Sequence, residues 1–95
     1  MSIGILKLTI YLPDCHSLKE KRGHVKPILA RLHKEFNISV IESDHHDVWQ
    51  SCQFTIACAA LDRTSAEKIL QNVILFYEGH WPDLPVTDEQ IEVII

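Results

Sequence analysis

Residues 15–27 read "CHSLKEKRGHVKP" and concentrate the groups most able to do chemistry. Ser17 with Glu20 forms a capping box that opens a helix, so Lys19, Lys21 and Arg22 fall in its first turns. The macrodipole is positive there and favours Asp or Glu. One reading of these cations is an anion site, in which helix N–H groups, the Ser17 hydroxyl and Lys or Arg heads act together on a phosphate or carboxylate. At helical spacing Lys19, Arg22 and Lys26 line a stripe that His33 extends, and such a stripe can follow an RNA backbone. Lys21 points to the opposite flank, where its stem covers the core edge. The plainer reading is a solvated face paired with acidic residues such as Asp44 or Asp47.

The second chemical group is "DHHD", Asp44, His45, His46 and Asp47, followed by Trp49. With His16 and His80 it offers carboxylates and imidazoles of the kind that bind zinc, nickel or manganese. The spacing fits no metal-ligand signature, and turn hydrogen bonds by the two aspartates, with the histidines simply exposed, are the favoured account. No metal ligand and no cofactor are assigned. General acid–base work by His16 or His45 needs a pocket and a partner that sequence does not supply. The chain has no nucleophile elbow, Gly-rich phosphate loop or Cys-x-x-Cys, so no catalytic residue is assigned and Cys15 is a lone thiol. Binding is preferred to catalysis.

These groups need elements to hold them. "IGILKLTIYL" alternates, with Gly4, Leu6, Leu8, Ile10 and Leu12 on one face, and is a strand ended by Pro13-Asp14. Leu18, Val25, Ile28, Leu29, Leu32 and Phe36 then recur at helical spacing. Pro27 falls inside that pattern and predicts a bend, or a short turn followed by a helix. "NISVIES" and "QSCQFTIACAAL" are strands on either side of a polar hairpin connection. A second helix opens at Asp62, or at Thr64 with Glu67, and turns Ala66, Ile69, Leu70, Val73, Phe76 and Tyr77 inward. Gly79 and Pro82 are expected to stop it. "QIEVII" is the fourth strand.

The order β-α-β-β-α-β predicts an α+β, ferredoxin-like domain spanning residues 1–95. It has an antiparallel sheet of order 4-1-3-2 and both helices on one face. The loop after strand 1, the strand 2–3 hairpin and the loop after helix 2 then share one end. His16, Asp44, His45, Asp47, Trp49 and His80 are expected to form one rim beside the basic helix start. On the open sheet face, Lys7, Thr9, Tyr11, Ser51, Gln53 and Thr55 offer one aromatic, too few for a base-stacking platform. Ile3, Ile5, Ala57, Ala59 and Ile94 form an apolar patch there that predicts a homo-oligomer.

Composition bounds the remaining choices. The chain has 95 residues, is 46% hydrophobic and 23% charged, and carries a net charge of −4. That suits one globular domain and argues against indiscriminate nucleic-acid binding. Residues 17–35 nevertheless hold Lys19, Lys21, Arg22, Lys26, Arg31 and Lys34 against Glu20 and Glu35. The rest of the chain is acidic. No apolar run approaches the ~20 residues that span a bilayer, and Lys7 interrupts the apolar N-terminus, so neither a membrane anchor nor a signal peptide is expected. Cys52 and Cys58 on one strand lie roughly 20 Å apart, too far to bond. Free thiols without an export signal predict the cytoplasm.

"HSLKEKR", "FNISVIESDHHDVWQ" and the "LDR" before helix 2 resemble the YlxP-like family of small bacterial proteins of unknown function, along nearly the whole chain. The resemblance implies a ferredoxin-like fold. His16, Ser17, Lys19, Glu20, Lys21, Arg22, Asp44, His45, Asp47 and Trp49 occupy its motif positions. Family members usually have a small residue in place of Cys15. The resemblance carries no catalytic assignment. Family genes often lie beside those for a translation initiation factor and a ribosome-binding factor, which implies a translation or ribosome-assembly setting. The expected partner is therefore ribosomal RNA or an assembly or translation factor. The alternatives are a metal- or anionic-metabolite-binding protein or enzyme using the His/Asp rim, and a protein-interaction module acting through the open sheet.

Overall fold

The computed structural model describes residues 1–44 and 48–95. Six elements follow one another: β1 (Ser2–Tyr11), α1 (Leu18–Glu35), β2 (Ser39–Asp44), β3 (Ser51–Ala60), α2 (Arg63–His80) and β4 (Val86–Ile94). The sheet is antiparallel in the order β2-β3-β1-β4, which is 4-1-3-2 read from the other edge. This is the ferredoxin-like α+β fold expected from the sequence.

Alternation decides the core. Leu6, Leu8 and Ile10 on β1 and Cys52, Phe54 and Ile56 on β3 are fully buried beneath the helices. Ile3, Ile5, Lys7, Thr9 and Tyr11 take the opposite face. The helices contribute Val25, Ile28 and Leu32 from α1 and Ala66, Leu70, Val73 and Tyr77 from α2. Gly4 lets α2 approach β1 closely, since a Cβ there would meet Leu70 Cδ1 at 2.9 Å and Cys58 Sγ at 3.2 Å. All three cysteines are free and buried, with Cys52 and Cys58 on the one strand.

Both helix starts are capped by side chains. Ser17 Oγ accepts the Glu20 N–H, and Asp62 rather than Thr64 caps α2 by accepting the Ser65 N–H at 2.8 Å. Two expectations change. First, α1 runs unbroken through Pro27, so no separate turn precedes it. Gly23, four residues earlier, holds the carbonyl left without that donor and is exposed. Second, α2 continues past Gly79 to His80, and the cap is Trp81, whose N–H reaches the Tyr77 carbonyl at 2.9 Å. Pro82 follows the real end, because proline cannot continue the ladder.

Among the described residues, no helix is long and apolar enough to cross a membrane.

Candidate anion-binding site

Three loops meet at the start of α1. The Leu12 N–H donates to the Gln50 carbonyl, Gln50 Nε2 donates to the Cys15 carbonyl, and the Tyr11 N–H donates to the Pro85 carbonyl. The β1–α1 loop is thus tied to the segments after residues 48 and 81, as the topology requires. A depression of about 150 Å³ lies among Leu12, Asp14, Cys15, His24, Asp83 and Leu84.

The Glu20 side chain reaches back one residue beyond the cap. The His16 N–H donates to Glu20 Oε2 at 3.0 Å while Ser17 Oγ takes the Glu20 N–H at 3.1 Å. A carboxylate of the chain itself therefore sits at the helix start, which suits the dipole. This corrects one expectation. Ser17 Oγ is engaged with the Glu20 N–H and the Glu20 carboxylate occupies the helix start, so recognition of an anion falls to side chains further along.

Lys21 is the second correction. It is only 3% exposed, its ammonium lies 3.0 Å from Glu42 Oε2, and it donates to the Val48 carbonyl at 2.8 Å. It holds β2 and the segment before β3 against α1 and does not belong to the external stripe. Sequence could have signalled this partner. Val40 faces the core, and Glu42, opposite the buried Phe54, shares that face. A carboxylate at a core-facing strand position needs a cation. Cys52 belongs to the same cluster: burial, then the Glu42 carboxylate, pushes its thiol up to about 12.

What remains outside is a clean set. Lys19, Arg22 and Lys26 are all exposed. The ion pairs among the described residues are Lys21–Glu42, Arg31–Glu35 and Arg63–Glu67, and none uses these three. His33, also on this flank, bonds the Val40 carbonyl through Nε2.

Of the expected rim, His16, Trp49 and His80 lie among the described residues. His80 stacks on Phe76 at 3.9 Å, and Phe76 meets Phe36 edge-on at 5.3 Å with the Arg31 guanidinium 5.5 Å above it. Phe36 caps the C-terminal end of α1, a helix about 27 Å long. The Leu84 N–H donates to the Trp81 carbonyl and the Tyr11 N–H to the Pro85 carbonyl, so the end of α2 shares the sheet end of the β1–α1 loop, with the His80 ring laid on Phe76. Trp49 is exposed. The Asp44 side chain, His45, His46 and Asp47 lie outside the described residues. Among the described residues no group of three His, Cys, Asp or Glu side chains is arranged to hold a metal ion.

The chain has relatives among known proteins. The chain is 37% identical over 90 residues to the uncharacterized protein YlxP of Bacillus subtilis (strain 168), covering 95% of this chain and 97% of that one. Among solved structures, the de novo designed protein Foldit4 superposes with a TM-score of 0.52 at 10% identity, over 99% of this chain and 96% of the other. A dabb family protein with a ferredoxin-like fold from Mesorhizobium loti gives 0.43 at 16% identity, over 98% and 96% of the two chains. Residues 3–91 match the family described as protein of unknown function DUF503, and the chain belongs to that family.

Proposed function

We propose that this protein binds RNA, or a comparable polyanion, through the exposed flank of α1. The observation that carries this reading is the stripe of Lys19, Arg22 and Lys26, exposed and outside every ion pair among the described residues of an acidic protein. Successive cations on one helix face, about 5–6 Å apart, match the repeat of a nucleic-acid backbone better than they match a small ligand. The capping box helps by neutralising the helix start, leaving the stripe as the binding element. A translation or ribosome-assembly setting, implied by the YlxP-like resemblance, makes ribosomal RNA or an assembly factor the target and the cytoplasm the place.

Three phosphate contacts to a single strand give a log–log salt slope of roughly −2. Lys19→Ala with Arg22→Ala is expected to flatten that slope by somewhat more than 1 and to weaken RNA binding while the melting temperature holds. Binding equal to the parent's would remove the stripe as the site. Sedimentation of the protein in lysate at low and raised salt shows whether a ribosomal subunit carries it.

A second reading concerns the open sheet face, where Ile3 is 39% and Ile94 47% exposed beside Ile5, Ala57 and Ala59. That face pairs with a second copy. Its apolar half suits itself, and Lys7, at the centre, lies among the carboxylates Asp88 and Glu92 of β4, so two copies turned about a two-fold axis offer each other opposite charges.

A further inference from the structure

From Ile69 to Ile95 the chain has no lysine or arginine, and Glu78, Asp83, Asp88, Glu89 and Glu92 all fall in that stretch. The fold brings Glu78 and Glu89 together along one seam. Leu6 and Leu8 on β1 are fully buried, yet their neighbours on β4, Ile91 and Glu89, are exposed although they face the helical layer. Helix α2 thus covers β1 fully and β4 only in part, at Val86 and Val93. The gap is a groove of three depressions. One of about 280 Å³ is walled by Trp81, Pro82, Pro85 and Val86. One of about 340 Å³ is walled by Val86, Asp88 and Glu89. The third, about 270 Å³, lies between Ile74, Leu75 and Glu89. Glu78 borders all three, and no cation lines any of them. Leu75 is 67% exposed in the wall.

We propose that this groove docks a basic, amphipathic segment of a partner protein, whose Lys and Arg heads meet Glu78 and Glu89 while its apolar side chains sit against Leu75 and Trp81. Charge complementarity sets the sign of the partner: the groove offers carboxylates alone. Its form sets the rest. The two carboxylates lie along the seam and belong to no group of three metal-ligating side chains among the described residues, which suits a chain better than a metal ion. A second copy of this protein supplies the wrong combination, because α1 exposes Lys19, Arg22 and Lys26 while burying Val25, Ile28 and Leu32. It brings cations without apolar anchors.

The test uses the full chain and a labelled peptide that alternates Lys or Arg with Leu, read by anisotropy and, in a Trp49→Phe chain, by the Trp81 emission. An all-Lys peptide and a Glu-for-Lys peptide are the controls. The amphipathic basic peptide is expected to bind at least about tenfold more tightly than the all-Lys one. Glu78→Gln with Glu89→Gln is expected to weaken it about tenfold or more, and Leu75→Ser several-fold, with unchanged thermal melts. Lys19→Ala with Arg22→Ala should leave it unaffected, separating this site from the RNA stripe. Equal binding by the groove variant overturns the proposal. So does equal binding of the all-Lys peptide, which would show a diffuse field only. A self-associated species that dissociates in the groove variant would place a second copy in the groove and overturn it as well.

Discussion

Lys19 and Lys21 stand two residues apart, and about 200° of helix rotation separates their side chains. One is exposed and outside the ion pairs of the described residues; the other is buried against Glu42 and the Val48 carbonyl. Removing one partner of a buried pair strands the other charge in a poorly solvated place, which typically costs 3–5 kcal/mol. Glu42 keeps partial access to water, so Lys21→Ala is expected to destabilise by about 3 kcal/mol, the lower end of that range, in urea denaturation. Lys19→Ala should stay within about 0.5 kcal/mol. The double replacement Lys21→Met with Glu42→Leu should recover most of the loss, since it removes both charges. Recovery of nothing would show that the Val48 contact, not the ion pair, holds the hairpin. The helix flank that each cation occupies was legible from spacing alone. The depth of Lys21 required the further step of placing Glu42 on the core face of β2.

At the scale of elements, sequence marked both strand faces and both caps because each follows from a local rule: alternation for the sheet, a side-chain oxygen for the first free N–H groups. The end of α2 was misread for an equally physical reason. Gly79 stops a helix only when its backbone turns left-handed, and here it continues the helix with open space around it. Burial of Tyr77, whose hydroxyl donates to the Leu84 carbonyl at 2.7 Å, and packing of Trp81 carry the helix on to His80. His80 lies in that last turn, with its ring stacked on Phe76. Two titrating groups lie between these elements. Burial raises the Cys52 thiol to about 12 and, as the larger cause, pushes the Tyr77 hydroxyl up as well, with Cys52 adding to it. In the unfolded chain both release their protons at ordinary values, so above about pH 8.5 the unfolded state binds fewer protons than the native one. Stability is therefore expected to fall as pH rises through 9 to 11. Cys52→Ser should change the slope of that fall when urea midpoints are compared across pH. A midpoint that stays flat from 8 to 11 would contradict the burial of both groups. At Gly4, Gly4→Val is expected to cost about 1–3 kcal/mol by pushing Leu70 and Cys58 aside.

The whole molecule separates its charge: α1 carries the cations over the β2 side, and the seam of α2 with β4 carries carboxylates. Between these edges the open sheet face is nearly neutral, with Lys7 the cation among its central strands. Four strands roughly 4.8 Å apart and about eight residues at roughly 3.4 Å make a face of about 500 Å², smaller than the ~800 Å² per partner of a standard interface. A dimer through it should therefore be weak and dependent on concentration. Ile41, 59% exposed on β2, enlarges the apolar area beyond the residues singled out by sequence. Sedimentation velocity is expected to show a monomer at low micromolar concentration and a growing dimer above tens of micromolar. Ile3→Asp with Ile94→Asp should abolish the dimer while far-ultraviolet circular dichroism stays the same, because both side chains already face water in the monomer. Raising salt should change the dimer little, since its apolar half carries most of the contact, whereas RNA binding by α1 should collapse. A dimer that instead dissociates with salt and survives the two aspartates would shift the interface from the sheet face to the charged edges.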